Sequence, residues 1–350
     1  MTDVKPFVAA ALGQKPSRYP AWFMRQAGRY LPEYREVRAK VDFVTLCKSP
    51  ALAAEVTLQP LRRYDLDAAI IFSDILIPCV AMGQHLSFDK GEGPVLSNAV
   101  RSALDLKGLH RPNASRDLGF VGEAIAKTKL GLRPEQAMIG FAGAPFTVAS
   151  YMIEGQSSKN FTEVKKLMLR ETSVFKDLLG LIAETTIDYL KMQIESGADA
   201  IMLFDTWAAQ LTGPDYREYV FPVTKKVLSA IKALGTPVIY FPGQGCDRMM
   251  DLEGIEVDVI SVDWRTRLTT AADILRKLNL HVTLQGNLDP QHLICTESVL
   301  REKVRGVIAN AAQAGVRSHI FNVGHGLLPH TPPESLSWVL DELRKAQPIG

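Results

Sequence analysis

Short runs, apolar at most or all of their positions, recur along the chain between longer stretches of helical periodicity. The runs cover residues 21–24 (AWFM), 68–72 (AAIIF), 138–142 (MIGFA), 200–204 (AIMLF), 238–241 (VIYF), 259–262 (VISV), 281–284 (HVTL) and 319–323 (HIFNV). Runs apolar on both faces are what parallel strands need when helices cover them above and below. Helical spacing of apolar residues predicts helices over 50–63, 161–196, 215–233, 270–278, 297–314 and 333–346. Several carry stop signals, such as Gly197, Gly315 and the pair Gly235 and Pro237. Eight strands alternating with helices predict an α/β chain folded as a (β/α)8 barrel of the TIM type. Two α/β domains are the alternative, because the connections after the first three runs are long.

Polar or small residues follow almost every run: Arg25, then Ser73 and Asp74, then Gly143, then Asp205 and Thr206, then Gly243, Asp263, Gln285 and His325. In a parallel barrel these positions form the rim at the C-terminal ends of the strands, where active sites are built. Any one of them is more simply a strand end turning into a loop. A full ring of them places the chemistry on that rim.

The densest chemistry lies in residues 18–38, which hold Arg18, Arg25, Arg29, Arg35 and Arg38. Arginine suits fixed, bidentate recognition of carboxylate or phosphate. Glu33 and Glu36 offer a surface ion-pair network instead, and for Arg35 and Arg38 the two readings are even. Arg25 and Arg29 flank Gln26, Ala27 and Gly28, where the small Ala27 and Gly28 permit close backbone approach, and anion binding is favoured for this pair. Asp74 sits in an apolar setting and needs a partner. It is either a helix cap or partner of Arg62 or Arg63, or an acceptor facing the barrel mouth, and its place at a strand end favours the second. His325, held between Gly324 and Gly326, is either a satisfied core histidine or a ligand contact, with the glycines favouring contact.

Composition narrows the class. The chain has 350 residues, 47% hydrophobic and 22% charged, the balance of an ordinary globular protein. A formal net charge of +2 argues against a nucleic-acid binder. Cys47, Cys79, Cys246 and Cys295 form no CxxC pair and read as reduced thiols. The stretch 68–82 is broken by Asp74 and Pro78, and the run 7–12 is too short for a secretory segment, so a cytoplasmic protein off the membrane is expected. The motifs GxxxxGK[ST], GxGxxG and HExxH are absent, and no His–Cys spacing suggests zinc.

Longer blocks are more specific. WFMRQAGRYLPEYR at 22–35, LPEYR included, resembles the uroporphyrinogen decarboxylase family. The likeness continues in order through LQPLRR (58–63), AIIFSDIL (69–76), GFAGAPFT (140–147), YMIEG (151–155), FDTW (204–207), QGNLDP (285–290) and FNVGHG (321–326). It implies one distorted barrel domain over residues 1–350, with residues 1–17 partly a flexible tail. It also implies a cytoplasmic homodimer with no metal or organic cofactor, acting on the cyclic tetrapyrrole uroporphyrinogen.

Residue by residue, the resemblance puts substrate contacts at Arg25, Gln26, Ala27, Gly28, Arg29, Asp74, Tyr151, Thr206 and His325, with Phe141 and Phe204 against the macrocycle. Asp74, Arg25 and Arg29 fall on catalytic positions. Arg25, a protonated Asp74 and an arginine-bound water compete as proton donor. His330 departs from the acidic residue that many bacterial members carry there, with no expected effect on the chemistry. Two other functions compete. Corrinoid-linked methyltransferases share the fold but bind zinc through a His-x-Cys that this chain lacks, and a non-catalytic tetrapyrrole carrier would not need the whole polar rim.

Overall fold

The computed structural model describes residues 4–88 and 93–350. Its main sheet has seven parallel strands in the order β1-β4-β5-β6-β7-β8-β9. These are β1 (Ala68–Ile70), β4 (Ala137–Gly143), β5 (Ala200–Phe204), β6 (Val238–Phe241), β7 (Val259–Ser261), β8 (Thr283–Leu288) and β9 (His319–Val323). The remaining two, β2 (Leu86–Phe88) and β3 (Pro94–Leu96), form an antiparallel hairpin inside the long β1–β4 connection. Every strand residue from β4 to β9 is buried except Phe204, as the continuous apolar runs require.

The expected first strand, 21–24, is not one. Ala21 makes a single parallel bridge to Phe321, and the chain then leaves the ladder. It still closes the ring. The Phe321 amide donates to the Pro20 carbonyl (2.9 Å), and the Asp67 amide to the Ala21 carbonyl (2.9 Å). Beyond Ala21 a side chain replaces a strand: Gln26 accepts from the Phe23 amide (3.0 Å) and donates to the Ala68 carbonyl (3.0 Å). The barrel is therefore closed between β9 and β1 by an irregular segment, which is its distortion.

Other boundaries shift for local reasons. The expected strand 281–284 starts at Thr283 and runs on to Leu288. Gln285 thus lies inside the barrel rather than on the rim, taking the Trp22 indole N–H (2.8 Å) and donating to Ser261 (3.1 Å). The helix expected over 161–196 divides into Thr162–Arg170 and Thr172–Glu195, and the Thr172 hydroxyl caps the Met168 carbonyl at the break. The helix expected over 215–233 opens with a wide turn at Tyr216–Val220 before Phe221–Lys232, because Pro222 has no amide to continue the ladder.

The N-terminal stretch read as a partly flexible tail contains the helix Pro6–Ala11, with Phe7 fully buried and the Ala10 carbonyl bonded by Thr283 (2.7 Å). No helix among the described residues is long and apolar enough to cross a membrane.

Candidate active site

The C-terminal ends of the strands gather the predicted residues. Arg25 leads the closing segment out of the barrel with φ +63°, a left-handed conformation uncommon for a side-chain-bearing residue and costly to hold. Flanking bonds fix it: the Met24 amide donates to Asn322 Oδ1 (3.0 Å), and the Leu327 amide to the Met24 carbonyl (2.9 Å). Gly326 makes room for its side chain, since a Cβ there would meet Arg25 Cδ at 2.4 Å. That contact supplies a steric reason for the second glycine of the GHG motif.

The five N-terminal arginines separate cleanly. Arg18 is bound to Asp65 and Asp67 at the opposite end of the barrel. Arg35 holds the carbonyls of Arg29 (2.8 Å) and Tyr30 (3.0 Å), and Arg38 holds that of Val41. Glu33 pairs with Arg63 (2.9 Å), not with Arg29 or Arg35. Arg25 and Arg29 remain exposed, and neither has a carboxylate within 4.0 Å among the described residues. Gln26, by contrast, is fully buried with its side chain committed to barrel closure, so any contact it makes with a ligand is not through its amide. Ala27 and Gly28 are half-buried beside it.

Asp74 lies just beyond β1. One carboxylate oxygen takes the Leu76 amide (2.8 Å), a local cap, while Arg62 and Arg63 are occupied by Glu55 and Glu33. Burial raises its pKa, and the Leu76 amide and the Arg25 charge act against that rise. Tyr151 projects from the helix Pro145–Glu154 that follows β4 and packs against Trp207. Burial raises its pKa as well, and it lies within electrostatic reach of both Asp74 and Arg25. His325 has its pKa lowered to about 4, first by burial, then by the charges of Arg25 and Arg265, with Asp263 opposing. At neutral pH it is an uncharged imidazole. Arg25 is therefore electrostatically coupled to Asp74, Tyr151 and His325 together.

An aromatic arc lines the mouth. Phe141 meets Phe204 edge-on (5.7 Å), Phe204 meets Phe241 (6.5 Å), Phe241 meets His325 (6.5 Å), and His325 meets Trp264 (6.0 Å). Phe241 and Trp264 were not singled out by the sequence. Phe241 ends the run VIYF, where a mouth aromatic and a core aromatic look alike, and Trp264 lies one residue past Asp263 in a loop. Thr206 follows β5 and is half-buried. Beneath it the fully buried Asp205 takes hydrogen bonds from Thr147 (2.8 Å) and Tyr240 (3.0 Å), which anchor the turn. His330 is exposed four residues beyond Gly326.

This assembly joins cations, a carboxylate in an apolar setting and aromatic side chains, which suits an anionic ligand with aromatic rings. The family model described as uroporphyrinogen decarboxylase (URO-D) matches residues 2–346. The chain belongs to the uroporphyrinogen decarboxylase family. A uroporphyrinogen decarboxylase of Rhodococcus erythropolis is 45% identical over 338 residues, covering 95% of this chain and 93% of that one. One from Syntrophotalea carbinolica is 43% identical and covers 97% of both chains.

Among solved structures, a methyltransferase from Methanosarcina mazei superposes with a TM-score of 0.80 over 99% of both chains at 18% identity. That likeness is one of fold and supports the expected barrel. The methyltransferase alternative draws nothing more from it, whereas membership of the uroporphyrinogen decarboxylase family rests on the sequence along the whole chain.

Proposed function

We propose that this chain decarboxylates uroporphyrinogen III to coproporphyrinogen III, converting four acetate arms to methyl groups without a cofactor. The observation that carries the reading is Arg25, which has no carboxylate partner among the described residues and is coupled to Asp74, Tyr151 and His325 at the mouth of a family-matched barrel. Each arm exchanges CO2 for one proton. A proton adds to the pyrrole α-carbon beside the arm, and the C–CO2 bond breaks as its electron pair flows into the cationic ring. The exocyclic methylene then takes a proton to become methyl, and the ring proton leaves. The substrate thus supplies the electron sink that cofactors provide elsewhere.

Asp74 is suited to accept the converging pyrrole N–H groups and balance the ring cation, because a carboxylate aimed into a low-dielectric mouth acts strongly on charge that develops there. Arg25 and Arg29 hold carboxylate arms, while Tyr151, Thr206 and neutral His325 add hydrogen bonds. Phe141 and Phe204 pack on the macrocycle. Arg25, a water bound to it and a protonated Asp74 compete as the proton donor, and a guanidinium is by itself a reluctant acid. The homodimer and the cytoplasmic location that accompany the family belong to this proposal, and sedimentation of the purified chain tests the first.

Anaerobic incubation with uroporphyrinogen, followed by chromatography, tests the reaction. Products with seven, six, five and then four carboxylates are expected. Unchanged substrate in the presence of folded protein defeats the reading.

A further inference from the structure

Beyond the residues discussed so far, the turn that follows β7 is built with unusual care. Asp263, fully buried, takes the Thr266 hydroxyl on one carboxylate oxygen (3.1 Å) and Arg265 Nη1 on the other (3.1 Å). From β8, Asn287 Nδ2 donates to the carbonyls of Asp263 (2.9 Å) and Thr266 (2.6 Å). From the β9 side the backbone presses on the same turn: a Cβ at Gly324 would meet the Trp264 amide nitrogen at 2.2 Å. The first glycine of the GHG motif therefore exists to admit this turn. What the turn presents is Arg265, its guanidinium 3.8 Å above the Trp264 ring, and that ring stands edge-on to His325.

We infer that Arg265 is a further substrate-binding cation, holding a peripheral carboxylate arm on the β7 side of the mouth, across His325 from Arg25. The inference rests on the decarboxylase reading, which supplies a ring with carboxylates all around its edge. A ring of this kind cannot be gripped by Arg25 and Arg29 alone, since both lie on the closing segment beside β1. Arg265 flanks His325 from the other side, and its charge, like that of Arg25, is felt there. One Nη1 contact to Asp263 leaves most of the guanidinium donors free, and the side chain is half-exposed.

An isolated surface arginine stacked on tryptophan would give a loose cation–π pair. Here the stack, the buried Asp263 and the Asn287 clamp fix the guanidinium before any ligand arrives. Pre-organisation of that sort lowers the entropic cost of binding.

The test is steady-state kinetics with uroporphyrinogen under anaerobic conditions for wild type, Arg265→Lys, Arg265→Gln and Arg265→Glu, each first checked for a wild-type melting curve. KM should rise in the order Lys, Gln, Glu, by about tenfold for Arg265→Gln, with kcat within about twofold, as for a contact made equally in ground and transition states. The wild-type KM should also rise more steeply with salt than that of Arg265→Gln. If Arg265→Gln and Arg265→Glu keep KM within twofold while wild type turns over, Arg265 is not a substrate contact. A wild type that leaves uroporphyrinogen untouched overturns the decarboxylase reading, and this inference with it, in an arm that does not depend on the variants.

Discussion

The two ends of the barrel treat arginine in opposite ways. At the N-terminal ends of the strands, Arg18, Arg133 and Arg344 converge on Asp65 and Asp67. Asp67 is fully buried and also takes the Ala21 amide (2.8 Å), so this end is a satisfied ionic clasp that ties the closing segment to β1. At the other end, Arg25 lies beside the GHG turn and Arg29 four residues on, both exposed and with no such partner among the described residues. Charges whose donors are used up within the protein hold its shape; charges with donors left over are available to a ligand. The comparison assigns stability to one end and binding to the other, in line with the division of labour in this fold.

The largest effect should come from Asp74→Asn. Asparagine keeps an acceptor for the Leu76 amide, so the local cap survives, but it has no charge to balance a cationic pyrrole. Loss of one aimed electrostatic contact costs about 10²–10³ in rate, and kcat with uroporphyrinogen measures it. A variant within threefold of wild type would make Asp74 a cap and nothing more.

Next come the unmatched arginines. Arg29→Ala should raise KM more than it lowers kcat, because uniform carboxylate binding appears in KM. Arg25→Ala should change both, since it lies beside Asp74 and on the proposed proton route. Neither should move the midpoint of urea unfolding much. Equal kinetic effects from the two changes would remove the distinction between binding and proton delivery.

At the other end the pattern should invert. Arg344→Met strips contacts from the carbonyls of Tyr19 (2.7 Å) and Asp65 (2.6 Å) and from the buried Asp67 carboxylate (3.1 Å). Arg18 still pairs with Asp67, so the loss should fall short of the roughly 3–5 kcal/mol that orphaning a buried charge costs. Urea unfolding should register it while kcat and KM stay near wild type. A kinetic defect without destabilisation would erase the contrast between the ends.

That contrast was only half legible in the sequence. Strands such as Ala200–Phe204 and Val238–Phe241 stand where their apolar runs put them, because a strand covered on both faces needs apolar residues at every position. The run 21–24 has the same composition, yet Gln26 caps its edge and bends it away, a long-range choice that no local pattern encodes. Gln285 misleads in the other direction: a polar residue after an apolar run reads as rim, whereas the barrel interior keeps a polar layer in which Trp22, Gln285 and Ser261 satisfy one another.

The arginines show the limit most clearly. Spacing leaves Arg35 and Arg38 evenly poised between network and ligand, and only their carbonyl contacts decide. Arg265 carries no sequence signal at all, since its interest lies in Trp264, Asp263 and Asn287, which reach it through space.

The smallest effect, none, is expected from chelators, and it bears on which unmatched groups at the mouth do the chemistry. Among the described residues no three His, Cys, Asp or Glu side chains gather as metal ligands. The argument from reactivity is independent of that. A Lewis acid polarises a carbonyl or activates a water, and this reaction requires neither, because the protonated pyrrole draws the electrons. Turnover should therefore survive dialysis against EDTA and a stronger zinc chelator, and elemental analysis should find zinc well below one per chain. Thiol blockers test something different. Cys246 is partly exposed on the loop after β6, so alkylation there can obstruct the mouth without implicating a thiol in catalysis. Stoichiometric zinc whose removal abolishes turnover and whose return restores it would defeat the mechanism. It would move the electron sink from the substrate to the protein and make the likeness to the methyltransferase from Methanosarcina mazei more than one of fold.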